Sequence, residues 1–232
     1  MIGWRAGDTP IMSRSPQHRE YRVALRRFAG LATTLTVVVC LLYWAVPVIR
    51  PYLYRDHEVV EWATALVFLA AAVVGARYLS TAGVGWRDPR WLIPGLSLLA
   101  MLDEISWGVF AVGVKPPTLM GKPMDGIHDL LEVAVKLARV HMPRWAVLLG
   151  VVVIASGVLA VLVKASRLRS ALFGTAHWRF FMIGVALGVV SQTADVVISG
   201  DRFGQALEEV LELDGALALL WSAWFLGRPT ET

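Results

Sequence analysis

Apolar residues fall in long, nearly unbroken blocks separated by short polar stretches, without the alternating or one-faced patterns of a soluble domain. A helix needs about 20 apolar residues to cross the hydrocarbon core of a bilayer. Six stretches have that length: Phe28–Val48, Val59–Leu79, Trp91–Val112, Trp145–Val163, Phe180–Ser199 and Ala206–Leu226. The first carries no charge between Leu31 and Ile49. It exceeds a signal-peptide core and lacks a small-residue cleavage site, so it reads as a retained anchor. The pattern therefore predicts an all-α polytopic membrane helix bundle of about six transmembrane helices over residues 28–228. Tails at 1–27 and 229–232 flank it.

The longest connection, 113–144, opens with Pro116, Pro117, Gly121, Pro123 and Gly126. It then becomes periodic over about 125–141. Asp125, Asp129, Glu132, Lys136 and Arg139 recur on one stripe, and Ile127, Leu130, Leu131, Ala134, Leu137 and Ala138 on the opposite face. This predicts an amphipathic helix along the outer interface or tucked against the bundle.

Charge sets the orientation. One side collects Arg5, Arg14, Arg19, Arg22, Arg26 and Arg27, then Arg77, Arg87 and Arg90, then Lys164, Arg167, Arg169 and Arg179, and finally Arg228. The other holds Arg50, Arg55, Lys115, Lys122, Lys136, Arg139, Arg144 and Arg202. The heavier basic side is cytoplasmic, so both termini are expected there, in a bacterial inner membrane. Trp44 and Trp145 are expected at the outer interface; Trp86, Trp91, Trp178 and Trp224 at the inner one. Charged residues make up 17% of the chain, against about a quarter in soluble domains, and the net charge of +4 fits cytoplasmic loops. No nucleic-acid motif is present. The single cysteine, Cys40, excludes an intrachain disulfide and a multi-thiolate metal site.

Against this background the intramembrane carboxylates stand out, because each costs roughly 2.5–3.5 kcal/mol at a helix centre on insertion scales. Asp103 and Glu104 sit just past the middle of the third stretch, with no basic residue on the same helix. Asp195 lies one turn from the outer end of the fifth, and Glu208, Glu209 and Glu212 open the sixth. His57, Glu58 and Glu61 open the second, and His128, Asp129 and Glu132 ride on the amphipathic segment. All fall in the outer half. His57 and Glu61, His128 and Glu132, and Glu208 and Glu212 are each four apart and share a helix face.

Paired His and Glu on helix faces are how bundles build carboxylate metal sites. Such a set here would be Asp103, Glu104, His128, Asp195, Glu208 and Glu212. Oxygen and imidazole donors suit a divalent metal: zinc, manganese or iron, or calcium or magnesium if the histidines stand aside. Carboxylates this close could instead share protons. The bland alternatives are headgroup-level acids for Glu58 and Glu61, complements to a helix N-terminus for Glu208 and Glu209, and a solvated face for His128 and Glu132. His18, His141 and His177 read as surface groups. Gly184 and Gly188 form a G-x-x-x-G that speaks to packing only.

Leu102-Asp103-Glu104-Ile105-Ser106-Trp107-Gly108 resembles the Glu-Glu-Ile-Ser-Trp-Gly-Gln run of a group of uncharacterised bacterial multispanning membrane proteins. That group has a Leu-His-Asn some twenty residues later, matched here by Ile127-His128-Asp129, and an acidic start to its last helix, matched by Leu207–Glu212. The chain departs from the pattern at Asp103, Val109 and Asp129. The resemblance covers about 40 residues and implies that Asp103, Glu104, His128 and Glu208 act together. Asp103-Glu104 is also superficially similar to the Glu-Glu pair of CAAX-type intramembrane proteases, whose Arg and Phe-x-x-x-His are missing here.

The cluster admits three readings. It binds a cation or protons. Or it holds a metal for hydrolysis at the outer leaflet, with Glu104 and His128 as the catalytic pair. Or it is structural, and the protein is an accessory subunit of a larger membrane complex; the expected partners are the lipid bilayer and either a second copy of the chain or such a complex.

Overall fold

The computed structural model describes residues 16–54, 59–106, 118–119, 122–123, 175–198 and 202–228. The fourth apolar stretch, the amphipathic segment 125–141, and His57, Glu58, His128, Asp129 and Glu132 lie outside them. Among the described residues there are six α-helices: α1 (Pro16–Ala45), α2 (Pro51–Tyr54), α3 (Val59–Thr81), α4 (Leu92–Glu104), α5 (Ala176–Ile198) and α6 (Arg202–Leu226). A 3-10 turn at Pro89–Trp91 leads into α4, and Thr118–Leu119 pairs antiparallel with Lys122–Pro123.

Local chemistry explains the boundaries. Helix α1 opens on Pro16, whose fixed φ suits a first helical position. It starts well before the apolar block does, so its first turns carry the exposed Arg22, Arg26 and Arg27. It stops before Pro47, which disfavours the helical conformation at the residue ahead of it. Arg50 then reaches back to the exposed carbonyls, donating from Nε to Tyr43 O at 2.6 Å while its guanidinium lies over the Tyr43 ring. Helix α3 ends in a Schellman motif. Gly83 takes φ +65°, its N–H bonds to Ser80 O, and the Val84 N–H bonds to Leu79 O. Asp88 caps the following turn by accepting from the Arg90 N–H at 2.9 Å.

Among the described residues, two helices are long and apolar enough to cross a membrane: Glu20–Ala45 and Val59–Thr81. Helices α5 and α6 have 23 and 25 residues, so they too are long enough, but they carry the charges noted above. The expected third span, 91–112, does not run as one α-helix. Helix α4 has only 13 residues and ends at Glu104; Ile105 leaves the helix at φ −89°, ψ 18°, and Ser106 takes φ +49°. A β-branched residue followed by serine is a weak place to continue a helix, because serine competes for nearby backbone groups.

Helix α6 is the centre of the bundle. It contributes to each of three apolar clusters: with Phe68, Ala71 and Ile93 of α3 and α4, with Ala24, Phe28 and Phe180 of α1 and α5, and with Tyr43 and Leu53 of α1 and α2. Small residues let the helices approach. A Cβ on Gly184 would meet Leu219 Cγ at 2.9 Å and Gly215 O at 3.0 Å, whereas one on Gly188 would meet nothing within 4 Å among the described residues. The tightest approach therefore runs through Gly184 and Gly215; the Gly188 backbone lies beside it, its nitrogen 3.7 Å from a Cβ on Gly215. Gly75 lies against Pro94 of α4 and Ala223 of α6.

These contacts fix direction. Ser191–Glu212, Gly184–Gly215 and His177–Ser222 make α5 antiparallel to α6. Glu20–Arg228 and Thr36–Asp214 do the same for α1. Gly75–Ala223 and Tyr78–Gly227 make α3 parallel to α6. The beginnings of α1, α4 and α5 thus share one end with the finishes of α3 and α6. Trp86, Trp91, Trp178 and Trp224 belong to that end and Trp44 to the other, although Trp178 is buried.

Candidate functional site

The end of α4 falls on the residues the sequence singled out. Asp103 and Glu104 are its last two residues, both half-buried. The Ile105 N–H still bonds to Met101 O at 3.2 Å, and the chain then turns through the buried Ser106. A positive φ at a residue with a Cβ costs about 1–3 kcal/mol and persists only where the surroundings impose it. Glu104 is therefore not in mid-helix, as the hydropathy pattern predicts, but at a helix C-terminus, where carbonyl oxygens and the negative end of the helix dipole gather.

The charges of four carboxylates, Glu212, Glu209, Glu61 and Asp103, reach Glu104. They come from α6, α3 and α4 itself. Helix α5 closes the group: Ser191 Oγ donates to Glu212 Oε1 at 3.0 Å, and Gln192 Nε2 to the same oxygen at 2.9 Å. Ser191 Oγ also lies 3.4 Å from the Glu208 main-chain oxygen. Glu61, Asp103, Glu208, Glu209 and Glu212 each take part in further interactions.

Of the residues predicted from the sequence, Glu104, Asp103 and Glu212 come together. Glu208 sits one turn earlier on α6, half-buried. Asp195 belongs to α5, but its side chain lies outside the described residues, as does the whole of His128. Among the described residues no three His, Cys, Asp or Glu side chains stand as metal ligands. The described members of the expected metal set (Asp103, Glu104, Glu208 and Glu212) accordingly form no such group.

Three acids fall outside the metal set that the sequence suggests. Glu61 reads as a headgroup-level residue, yet from the first turn of α3 its charge reaches Glu104. Glu209 reads as a complement to the start of α6, yet it too acts on Glu104. Asp214 is not among the expected residues at all. It is buried halfway along α6, accepts from Thr36 Oγ1 of α1 at 3.2 Å, and has no hydrogen-bond partner for Oδ1 among the described residues. The rule that flags Glu104, a carboxylate inside an apolar stretch, applies equally to it.

His177, expected at the surface, is instead buried at the start of α5. Its carbonyl accepts from Ser222 Oγ at 2.8 Å, and its Nε2 lies 3.3 Å from Thr175 Oγ1. Burial, helped by the positive charge of Arg90, lowers its pKa to about 4, so the ring is neutral at pH 7. Arg90 is itself gripped by both oxygens of Asp88, which holds the Asp88 carboxyl below its ordinary range.

No protein family, curated protein or solved structure matches this chain.

Proposed function

We propose that the chain is an integral bacterial inner-membrane protein of six spans, both termini cytoplasmic, that binds a cation or protons in the outer half of its bundle. One observation carries the reading: Glu104, at the C-terminus of a helix that stops inside its apolar stretch, is acted on by four further carboxylates from three helices. Interrupted helices whose C-terminal ends face a polar site are how membrane bundles hold sodium ions and protons. The ionised carboxylates and the helix dipole act here with the same sign, which favours a cation or a proton in the site. Ser191 and Gln192 orient Glu212 within it.

The bilayer reading draws support from the exposed apolar surface of α1 and α3, for example Leu41 and Leu66, each 62% exposed. It also draws on the alternation of helix direction and on the arginines gathered at one end. We further read the chain as a relative of the multispanning proteins it resembles, because the segment carrying the resemblance, Asp103–Ser106, is the helix break itself.

Purified protein in liposomes tests the reading. Titration with Na+, Mg2+, Ca2+, Mn2+ and Zn2+, with proton release followed at the same time, should show saturable binding or exchange. Glu104→Gln should abolish it while the melting temperature holds. Undiminished binding in Glu104→Gln would remove Glu104 from the site.

A further inference from the structure

At the end of the bundle opposite the carboxylates, the acids are already used. Asp88 is held by Arg90, with contacts of 2.9 Å to Nε and Nη2. Glu20 is held by Arg228 at 2.6 Å. No other described acid lies at this end. Arg179 lies over the Tyr21 ring at 4.8 Å. Five further arginines remain on the surface: Arg22, Arg26 and Arg27 on α1, Arg77 near the end of α3, and Arg87 in the loop that follows. None of the five has a partner among the described residues. Their heights agree. The Glu20–Arg228 contact puts Arg22 and Arg26 level with the last turns of α6, and the Gly75–Ala223 and Tyr78–Gly227 contacts put Arg77 there too.

The same level carries a rigid aromatic fixture. Trp86 is 80% exposed, yet it is not loose: its ring stacks on Trp91 with centroids 4.0 Å apart, and Trp91 Nε1 donates to Val84 O at 3.2 Å. Trp224 adds a second exposed indole on α6, beside Arg228. Directly above lie the exposed apolar flanks of α1 and α3. Indoles favour the headgroup layer, where an amphipathic ring meets both phases. A guanidinium matches the two oxygens of a phosphodiester with paired hydrogen bonds.

We propose that this end of the bundle is a binding surface for anionic phospholipid headgroups of the facing leaflet, with Arg22, Arg26, Arg77 and Arg87 taking the phosphates and the Trp86–Trp91 stack setting their depth. The spent acids and the surplus arginines fit an external anion, and the neighbouring apolar flanks make that anion the headgroup of a lipid whose chains cover them. The proposal rests on the membrane reading above but not on the carboxylate site.

The test uses the full chain reconstituted in vesicles of phosphatidylcholine, with and without phosphatidylglycerol. Tryptophan quenching by brominated phosphatidylglycerol should exceed quenching by brominated phosphatidylcholine at the same mole fraction by several-fold. The excess should shrink at high salt, because a charge-driven surface contact is screened. The variant Arg22→Gln/Arg26→Gln and the variant Arg77→Gln/Arg87→Gln should each lose about half of it, with the melting temperature unchanged. Inorganic phosphate should not compete at millimolar concentration; if it does, the surface is a free-phosphate site and the lipid proposal is wrong. Equal quenching by the two lipids, or a preference untouched in both variants, also overturns it. Failure to insert into vesicles of either composition would sink the membrane reading as well.

Discussion

Thr36 on α1 and Asp214 on α6 meet across a helix interface with 3.2 Å between Oγ1 and Oδ2, while the second oxygen of the acid is buried without a hydrogen bond among the described residues. The contact is unequal. Thr36 has one hydroxyl hydrogen and also lies 3.0 Å from its own Ala32 carbonyl, a bond that Thr34, Thr64 and Ser97 make to their own helices. Asp214 therefore depends on a shared hydrogen. Thr36→Val should destabilise the protein by about 1–3 kcal/mol, because it strands a buried acid. Asp214→Leu should cost less, or stabilise, since it removes the stranded group altogether. Melting temperatures of the two variants in one detergent check this. A larger loss for Asp214→Leu would mean that the acid has a role beyond holding α1.

The small-residue contact makes a sharper contrast within one motif. Gly184→Ala puts a methyl 3.0 Å from the Gly215 carbonyl oxygen, which is backbone and cannot turn aside. It should cost about 1–3 kcal/mol, the range for overpacking a close contact. Gly188→Ala meets nothing within 4 Å among the described residues and should be neutral, or slightly stabilising through its better helix propensity. Chemical or thermal unfolding of both variants decides it, and equal losses would show that α5 and α6 pack in another register.

How far the sequence carries the fold depends on what the physics writes locally. Helices α1 and α3 are legible because their apolar blocks need no partner to be recognised, and the proline after α1 marks its end plainly. The break after Glu104 is not. Ile105 and Ser106 weaken a helix only locally, and the apolar run of 91–112 continues past them, so hydropathy reads straight through the break. The acids follow the same division. Glu104 and Glu212 are visible as carboxylates at a similar depth. Glu61 looks like a headgroup residue because depth alone does not say which way a first-turn side chain faces. Asp214 escapes for a different reason: it sits two residues after Glu212 and is absorbed into an acidic helix start, although half a turn of rotation sends it to α1 instead of α5. His177 looks peripheral beside Trp178 and Arg179, and only the packing of Ser222 against its carbonyl shows why it is inside.

Helix direction makes the topology testable by position. Helices α1, α4 and α5 run one way and α3 and α6 the other, so residue 85 and the C-terminal end of α6 belong to one face and residue 50 to the opposite face. Reporter fusions after residue 85 and after residue 228 should both report the cytoplasm, and a fusion after residue 50 the periplasm. A periplasmic result after residue 228 alone would put the ends of α3 and α6 on opposite faces, and would overturn both the helix directions and the six-span reading.

Acid should weaken the fold through His177. The ring has an ordinary pKa of 6.5 and one of about 4 in the folded protein, because burial and Arg90 both oppose its charge. Protons therefore bind the unfolded chain more tightly. The stability contributed by keeping the ring neutral is complete above pH 6.5 and drains away as the pH falls towards 4. The whole effect is on the order of 3 kcal/mol, because each tenfold difference in proton affinity between the folded and unfolded chain is worth about 1.4 kcal/mol. Asp88, whose pKa is lowered from 3.8, loses its contribution only below that value, so the two windows barely overlap. Thermal unfolding in detergent at pH 7, 6, 5 and 4.5 should show a falling midpoint over this range. In His177→Gln, which keeps a polar group near Thr175 but cannot take up a proton, the fall should be much reduced. An identical pH profile for His177→Gln and the wild type would place the acid sensitivity elsewhere, and the carboxylates around Glu104 could not supply it with that sign, since protonation relieves their mutual repulsion.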